Sequence, residues 1–114
     1  MILIVGGAYS GKREFAKSLG YAETEMADAV LDDKPVLYNL QDLVAAAPER
    51  APLLVDALVK KNVVICNEVG SGIIPVDTNE RAAREATGRL CILLAQKAEK
   101  VVRIVCGIPA VIKE

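Results

Sequence analysis

The sequence has no histidine and no tryptophan, and its aromatic content is three tyrosines and one phenylalanine in 114 residues. The missing histidine removes several chemistries from this chain: a Ser–His–Asp triad, a Cys–His pair, imidazole metal ligation, and any phospho- or nucleotidyl-histidine intermediate. Tyr9, Phe15, Tyr21 and Tyr38 are too scattered for a base-stacking face. With 14 basic against 15 acidic residues, net −1, there is no electrostatic footprint for DNA or RNA. Lys60-Lys61 reads as a solvated helix end. Cysteine is also scarce. Cys66, Cys91 and Cys106 form no CxxC, and Cys66 and Cys106 close apolar runs, so the plain reading is small buried hydrophobes in a reducing compartment. No apolar run approaches the ~18 residues of a membrane span, and Met1-Ile2-Leu3 lacks the basic start of a signal peptide. A soluble, cytoplasmic protein is expected, acting on neither nucleic acid nor membrane.

What is present is a chain 53% hydrophobic and of single-domain length, roughly 100–150 residues being typical. The expectation is one domain spanning residues 1–114. Ile2–Val5 is a continuous apolar run bounded by Gly6-Gly7, which suits a strand buried on both faces. A helix follows from Lys12 to about Leu19, with Phe15, Ala16 and Leu19 on one face and Gly20 as its stop. Residues 21–34 are acidic and unpatterned, a loop with at most one helical turn. Val36–Asn39 reads as a second strand, and Leu40, Leu43, Val44 and Ala47 mark a short helix stopped by Pro48. A further helix is predicted from Arg50 to Lys61, burying Leu53, Leu54, Ala57 and Leu58. Val63–Cys66 is the third strand, and a Gly/Pro loop runs from Asn67 to Thr78. Asp77 with Glu80 forms a capping-box signature. It opens a long helix to about Ala98, with Ala82, Ala86, Leu90, Leu93 and Leu94 facing inward. Val101–Cys106 is the fourth strand, and Gly107-Ile108-Pro109 turns into a short antiparallel edge strand, Ala110–Lys113. This alternation predicts an α/β sheet, mostly parallel, between two helical layers.

The segment that carries chemistry is Gly6-Gly7-Ala8-Tyr9-Ser10-Gly11-Lys12, a GxxxxGK match placed between a buried strand and a helix start. Such a loop curls backbone N–H groups around a phosphate, and Lys12 reaches the outer phosphates as a mobile charge. The plainer reading is a glycine-rich turn with an exposed lysine. Position 13 departs from the motif, since Arg13 stands where Ser or Thr would ligate the nucleotide's Mg²⁺. A guanidinium has no lone pair for a metal. Val63–Cys66 followed by Asn67-Glu68 resembles a Walker B strand, with Glu68 at the carboxyl edge placed to hold a Mg²⁺-bound water or orient a nucleophile. Lys12 and Glu68 are the catalytic candidates, and residues 6–13 the nucleotide contacts. Gly70, in Gly70-Ser71-Gly72, allows close approach of a ligand. Arg81 and Arg84, spaced i,i+3 at the start of the long helix, are candidate phosphate contacts, the plainer reading being surface ion pairs. Asn39 at the end of the second strand is a candidate substrate contact or a helix cap.

These residues together resemble the adenosylcobinamide kinase/adenosylcobinamide-phosphate guanylyltransferase family of cobalamin biosynthesis. Residues 1–12 are similar to its first strand and GGxxSGK loop. Asn67-Glu68-Val69-Gly70-Ser71-Gly72-Ile73-Ile74-Pro75 is similar to its NEVGxGIVP segment, and Val102 to Ile112 to its terminal strand pair. The resemblance covers residues 1–20 and 62–114. It implies a RecA-like P-loop fold, ATP or GTP as phosphate donor, Mg²⁺, adenosylcobinamide as acceptor through its aminopropanol hydroxyl, and a homo-oligomer. It also implies GMP transfer through a guanylylated histidine, which this chain lacks. The expected protein is therefore a shortened member with kinase chemistry and no guanylyl transfer, the alternative being a nucleotide-binding module without turnover.

Overall fold

Strand β1, Ile2–Gly6, runs through the middle of the sheet, with both flanking strands parallel to it. This is where an uninterrupted apolar run belongs, because a central parallel strand buries both faces. In the computed structural model, which describes residues 1–68 and 77–114, β1 is followed by α1 (Lys12–Ser18), a 3₁₀ turn at Glu23–Glu25, β2 (Met26–Asp28), β3 (Val36–Tyr38) and α2 (Leu40–Ala46). A 3₁₀ segment (Pro48–Leu54), α3 (Val55–Leu58), β4 (Val63–Asn67), α4 (Thr78–Lys97), β5 (Lys100–Val105) and β6 (Ile108–Lys113) complete the order. The sheet reads β2-β3-β4-β1-β5-β6. Only the β5–β6 pair among these is antiparallel, as expected of the terminal edge strand.

The pleat divides the core in two. Leu3, Leu37, Val64, Cys66 and Val101 pack against Leu40, Val44, Val55, Leu58, Leu90 and Leu94 from α2, α3 and α4. On the other face Ile4, Val36, Ile65, Val102 and Ile104 pack with Ala16 of α1, and Phe15, Tyr21 and Tyr38 lean in from the rim. The layers thus agree with the α/β expectation. Among the described residues no helix is long and apolar enough to cross a membrane.

Several local expectations are corrected. The acidic stretch 21–34 contains a strand, β2, paired residue for residue with β3. Three residues are too few for a periodic signal, and the pairing is decided by burial of Met26 and Ala27. The helix expected over Arg50–Lys61 is 3₁₀ up to Leu54 and α-helical only at Val55–Leu58. Pro52 sits inside the 3₁₀ segment, where its missing N–H and ring oppose α-helical bonding. The change of helix type turns the buried set to Ala51, Val55 and Leu58, leaving Leu53 78% exposed. In α4 the inward residues are Thr87, Leu90 and Leu94, whereas Ala82 and Leu93 are exposed. Asp77 does cap this helix, accepting from the Asn79 N–H at 2.7 Å. Leu19 is exposed, and Cys106 is an exposed residue at the β5–β6 turn instead of a core thiol. Cys66 is buried and Cys91 partly so. The strand ends shift by a residue or two: β3 stops at Tyr38, β4 reaches Asn67, β5 runs from Lys100 to Val105, and β6 begins at Ile108.

Candidate functional site

The chain leaves β1 through α1 on one face of the sheet and leaves the adjacent β4 towards α4 on the other face. Connections departing to opposite faces open a crevice at the carboxyl ends of those two strands, the usual ligand position in an open α/β sheet. The loop 7–11 and Glu68 both emerge there. Glu68 is tied in by its N–H, which donates to the Gly6 carbonyl at 2.7 Å.

Glycine is required at two points of the loop. A Cβ on Gly6 would lie 2.6 Å from the Ile104 carbonyl oxygen and 2.7 Å from Ser10 Oγ. Gly11 has φ 95° and lies against Gly107, where an added Cβ would be 3.3 Å from the Gly107 Cα. The Gly107 N–H donates to the Ser10 carbonyl at 2.8 Å, so the β5–β6 turn braces the loop from outside. Gly11 is also the N-cap of α1 and brings no side chain to the first-turn N–H groups. Tyr9, with φ 59°, is fully exposed at the loop tip.

Lys12 is only 7% exposed. Its ammonium donates to the Gly7 carbonyl at 2.5 Å and reaches Ser10 Oγ at 3.5 Å. Burial pulls its pKa below the ordinary lysine value, and the neighbouring Cys66, Glu68 and Glu14 partly offset that. A charged, partly desolvated ammonium folded onto its own loop is ready to exchange a carbonyl for a phosphate oxygen, a charge-assisted and stronger acceptor. The cleft in front of the loop has a volume of about 960 Å³. Tyr38, Asn39, Gln41 and Asp42 line it from β3 and α2, Ile65 and Asn67 from β4, and Gly107 from the β5–β6 turn.

Arg13 lines this cleft without extending across it. Its guanidinium lies over the Tyr38 ring, 4.5 Å from the centroid, and Nη2 meets Glu23 Oε1 at 2.8 Å. Lys17 contacts the same oxygen at 2.9 Å, and the two cations hold the Glu23 carboxyl below its ordinary pKa, the Lys17 hydrogen bond contributing most. Glu68 is engaged as well. Arg103 of β5 grips it through both oxygens, Nε–Oε1 at 2.5 Å and Nη2–Oε2 at 3.1 Å, in the bidentate fork of a strong charge-assisted pair. The pairing raises the Arg103 pKa.

Asn39 occupies the left-handed region at φ 57° and makes no side-chain cap to α2. Its Nδ2 donates to Asp28 Oδ1 at 2.7 Å, and its Oδ1 accepts from Gln41 Nε2 at 3.2 Å. Gln41 Oε1 in turn accepts the Asn67 N–H at 3.0 Å. One polar chain therefore links the ends of β2, β3 and β4 along the cleft wall. Arg81 and Arg84 stand in the first turns of α4, each engaged by a neighbour, and neither is among the described residues lining the cleft. Gly70 lies outside the described residues. Tyr38, Gln41 and Gly107 line the cleft, and Arg103 holds Glu68, which like Arg103 is not among the described residues lining it; none of the four was singled out as a site residue by the sequence. Each is placed by a contact distant in sequence, with no local motif to mark it.

The donors expected for Mg²⁺ do not fit that ion. The hydroxyl position is Arg13, and both oxygens of Glu68 face Arg103. Glu14 and Asp42 also line the cleft, but both are exposed. Mg²⁺ dehydrates reluctantly and needs near-ideal octahedral donors, so single exposed carboxylates hold it weakly.

A family model described as cobinamide kinase / cobinamide phosphate guanyltransferase matches residues 24–112 of the chain. The match includes the middle section that the sequence resemblance leaves out. It begins after the loop 6–12, which lies outside the matched residues. No curated protein matches the chain.

Proposed function

Because the chain belongs to the cobinamide kinase/cobinamide phosphate guanyltransferase family, we propose that it binds a nucleoside triphosphate through residues 6–13 and lacks the guanylyl-transfer half of the family's chemistry. Family membership places it with the nucleotide-using proteins of cobalamin biosynthesis. The observation carrying the proposal is Lys12, buried and folded onto the Gly7 carbonyl at the head of a cleft. The chain has no histidine to receive GMP, which supports the missing half. Nucleotide binding without turnover is the reading the geometry supports best, since Arg13 and Arg103 stand where a phosphotransferase site needs a hydroxyl and an unengaged carboxylate.

A second reading is phosphoryl transfer to the aminopropanol hydroxyl of adenosylcobinamide. The open cleft beyond the loop, walled by Asn39, Gln41 and Asp42, favours it. Assembly of several copies belongs to the same proposal, supported by exposed Ile92 on α4 and exposed Ile108 and Ile112 on β6.

Calorimetric titration with ATP and with GTP tests the binding. Lys12→Ala is expected to weaken it on the order of 10–100-fold, the loss of a hydrogen bond to a charged group. Unchanged affinity in that variant would remove Lys12 from the site. Incubation with adenosylcobinamide and either nucleotide, followed by chromatography, separates the two readings: a phosphorylated corrinoid establishes the second.

A further inference from the structure

We propose that this site binds the phosphates of its nucleotide as a metal-free anion, the charge being met by the chain's own cations in place of Mg²⁺. The inference rests on the nucleotide-binding reading above. It follows from the same substitution at two separate points. Where the loop should offer a hydroxyl to a metal, Arg13 offers a guanidinium, anchored by Glu23 and stacked on Tyr38. At the end of β4, where a carboxylate should face a metal or its water, Arg103 closes both oxygens of Glu68 in a two-point grip.

The two arginines come from different elements: Arg13 of α1 lines the cleft beside Lys12, and Arg103 of β5 holds Glu68. Arg103 lies beside Val5 in the sheet register, with Glu68 reaching it across the end of β1. A divalent cation seeking Glu68 would have to break its pair with Arg103, and at position 13 it would meet a guanidinium instead of a hydroxyl. A phosphate in the cleft meets Lys12 and Arg13, which both line it, with the carboxylates of Glu14 and Asp42 exposed to solvent. Arg13 Nε–H is buried without a hydrogen-bond partner among the described residues. An unpaired buried donor beside the loop suits an acceptor oxygen, never a metal ion. Arg13 and Arg103 are here positioning and charge-compensating residues; neither is assigned a bond-making step.

The test is titration of the whole chain with a non-hydrolysable nucleoside triphosphate, in excess magnesium and again in excess EDTA. The expected dissociation constants agree within about threefold. Affinity at least about tenfold tighter with magnesium overturns the inference while leaving the nucleotide-binding reading standing. No binding under either condition overturns both. Arg13→Ser and Arg103→Ala, singly and together, give a second readout. Each restores a donor to the metal, so magnesium is expected to tighten nucleotide binding by the double variant. A folded double variant, checked by circular dichroism, that stays indifferent to magnesium would also overturn the role given to these arginines.

Discussion

Gly6 shows how far one residue constrains this site. Its Cα faces the Ile104 carbonyl and the Ser10 hydroxyl so closely that a methyl group has no room against the backbone oxygen. Gly6→Ala is therefore expected to cost about 1–3 kcal/mol, as overpacked positions do, and to push Ser10 and the loop outward. A lowered urea midpoint together with lost nucleotide affinity would report both effects. Unaltered affinity would mean that the loop tolerates displacement. The motif itself was readable because its residues are contiguous and each has a local reason to be there. Arg13 was readable only as a departure. That its guanidinium lies on Tyr38 and Glu23 depends on a contact across 25 positions of sequence and on a pairing with a loop residue that has no pattern of its own. Glu68 is the parallel case. The strand-end carboxylate was visible in Val63–Glu68, but Arg103, thirty-five residues later, gave no sign that it would occupy it.

Among the elements, the tether between α1 and the turn at Glu23–Glu25 carries a pH signature. Arg13 and Lys17, on successive turns of α1, share one oxygen of Glu23 and hold its carboxyl below the ordinary value. A carboxylate whose folded pKa is depressed stabilises the folded state above its unfolded value and loses that contribution as pH falls through the lowered one. Glu23→Gln should thus melt below the parent protein at neutral pH and converge with it in acid, below the native Glu23 pKa. Parallel melting curves across the acid range would show that the tether contributes nothing. This segment also marks where reading elements from sequence stops. The central strands were legible as continuous apolar runs bounded by turn residues, and α4 by its length and its Asp77 cap. β2 was not, since its three residues become a strand only by lying beside β3. The run Pro48–Leu54 is 3₁₀ where apolar spacing alone predicts an α-helix, because Pro52 opposes α-helical bonding there.

At the scale of the molecule, the two core clusters on opposite faces of one sheet decide where substitutions matter. Leu94 is fully buried between α4 and the sheet, so Leu94→Ala should lose about 2–5 kcal/mol. Its neighbour Leu93 is 38% exposed and Leu53 is 78% exposed. Alanine at either should stay within about 0.5 kcal/mol in denaturant unfolding. The reverse order would mean that α4 packs through the face its raw hydrophobicity suggested. The layered α/β form was predictable from alternation alone, but the seating of α4 was not, because its apolar residues cover more than one face. The loop 6–12 is braced by the Gly107 N–H, and β1, which leads into it, lies between β4 and β5. A ribosome adding about 5–20 residues each second releases that loop long before the residues that shape it, so for several seconds the nascent loop has no wall, no brace and no neighbour for its strand. The loop takes its final shape only once the β5–β6 turn has emerged to brace Ser10, which makes the earliest-made part of the cleft the last to be completed.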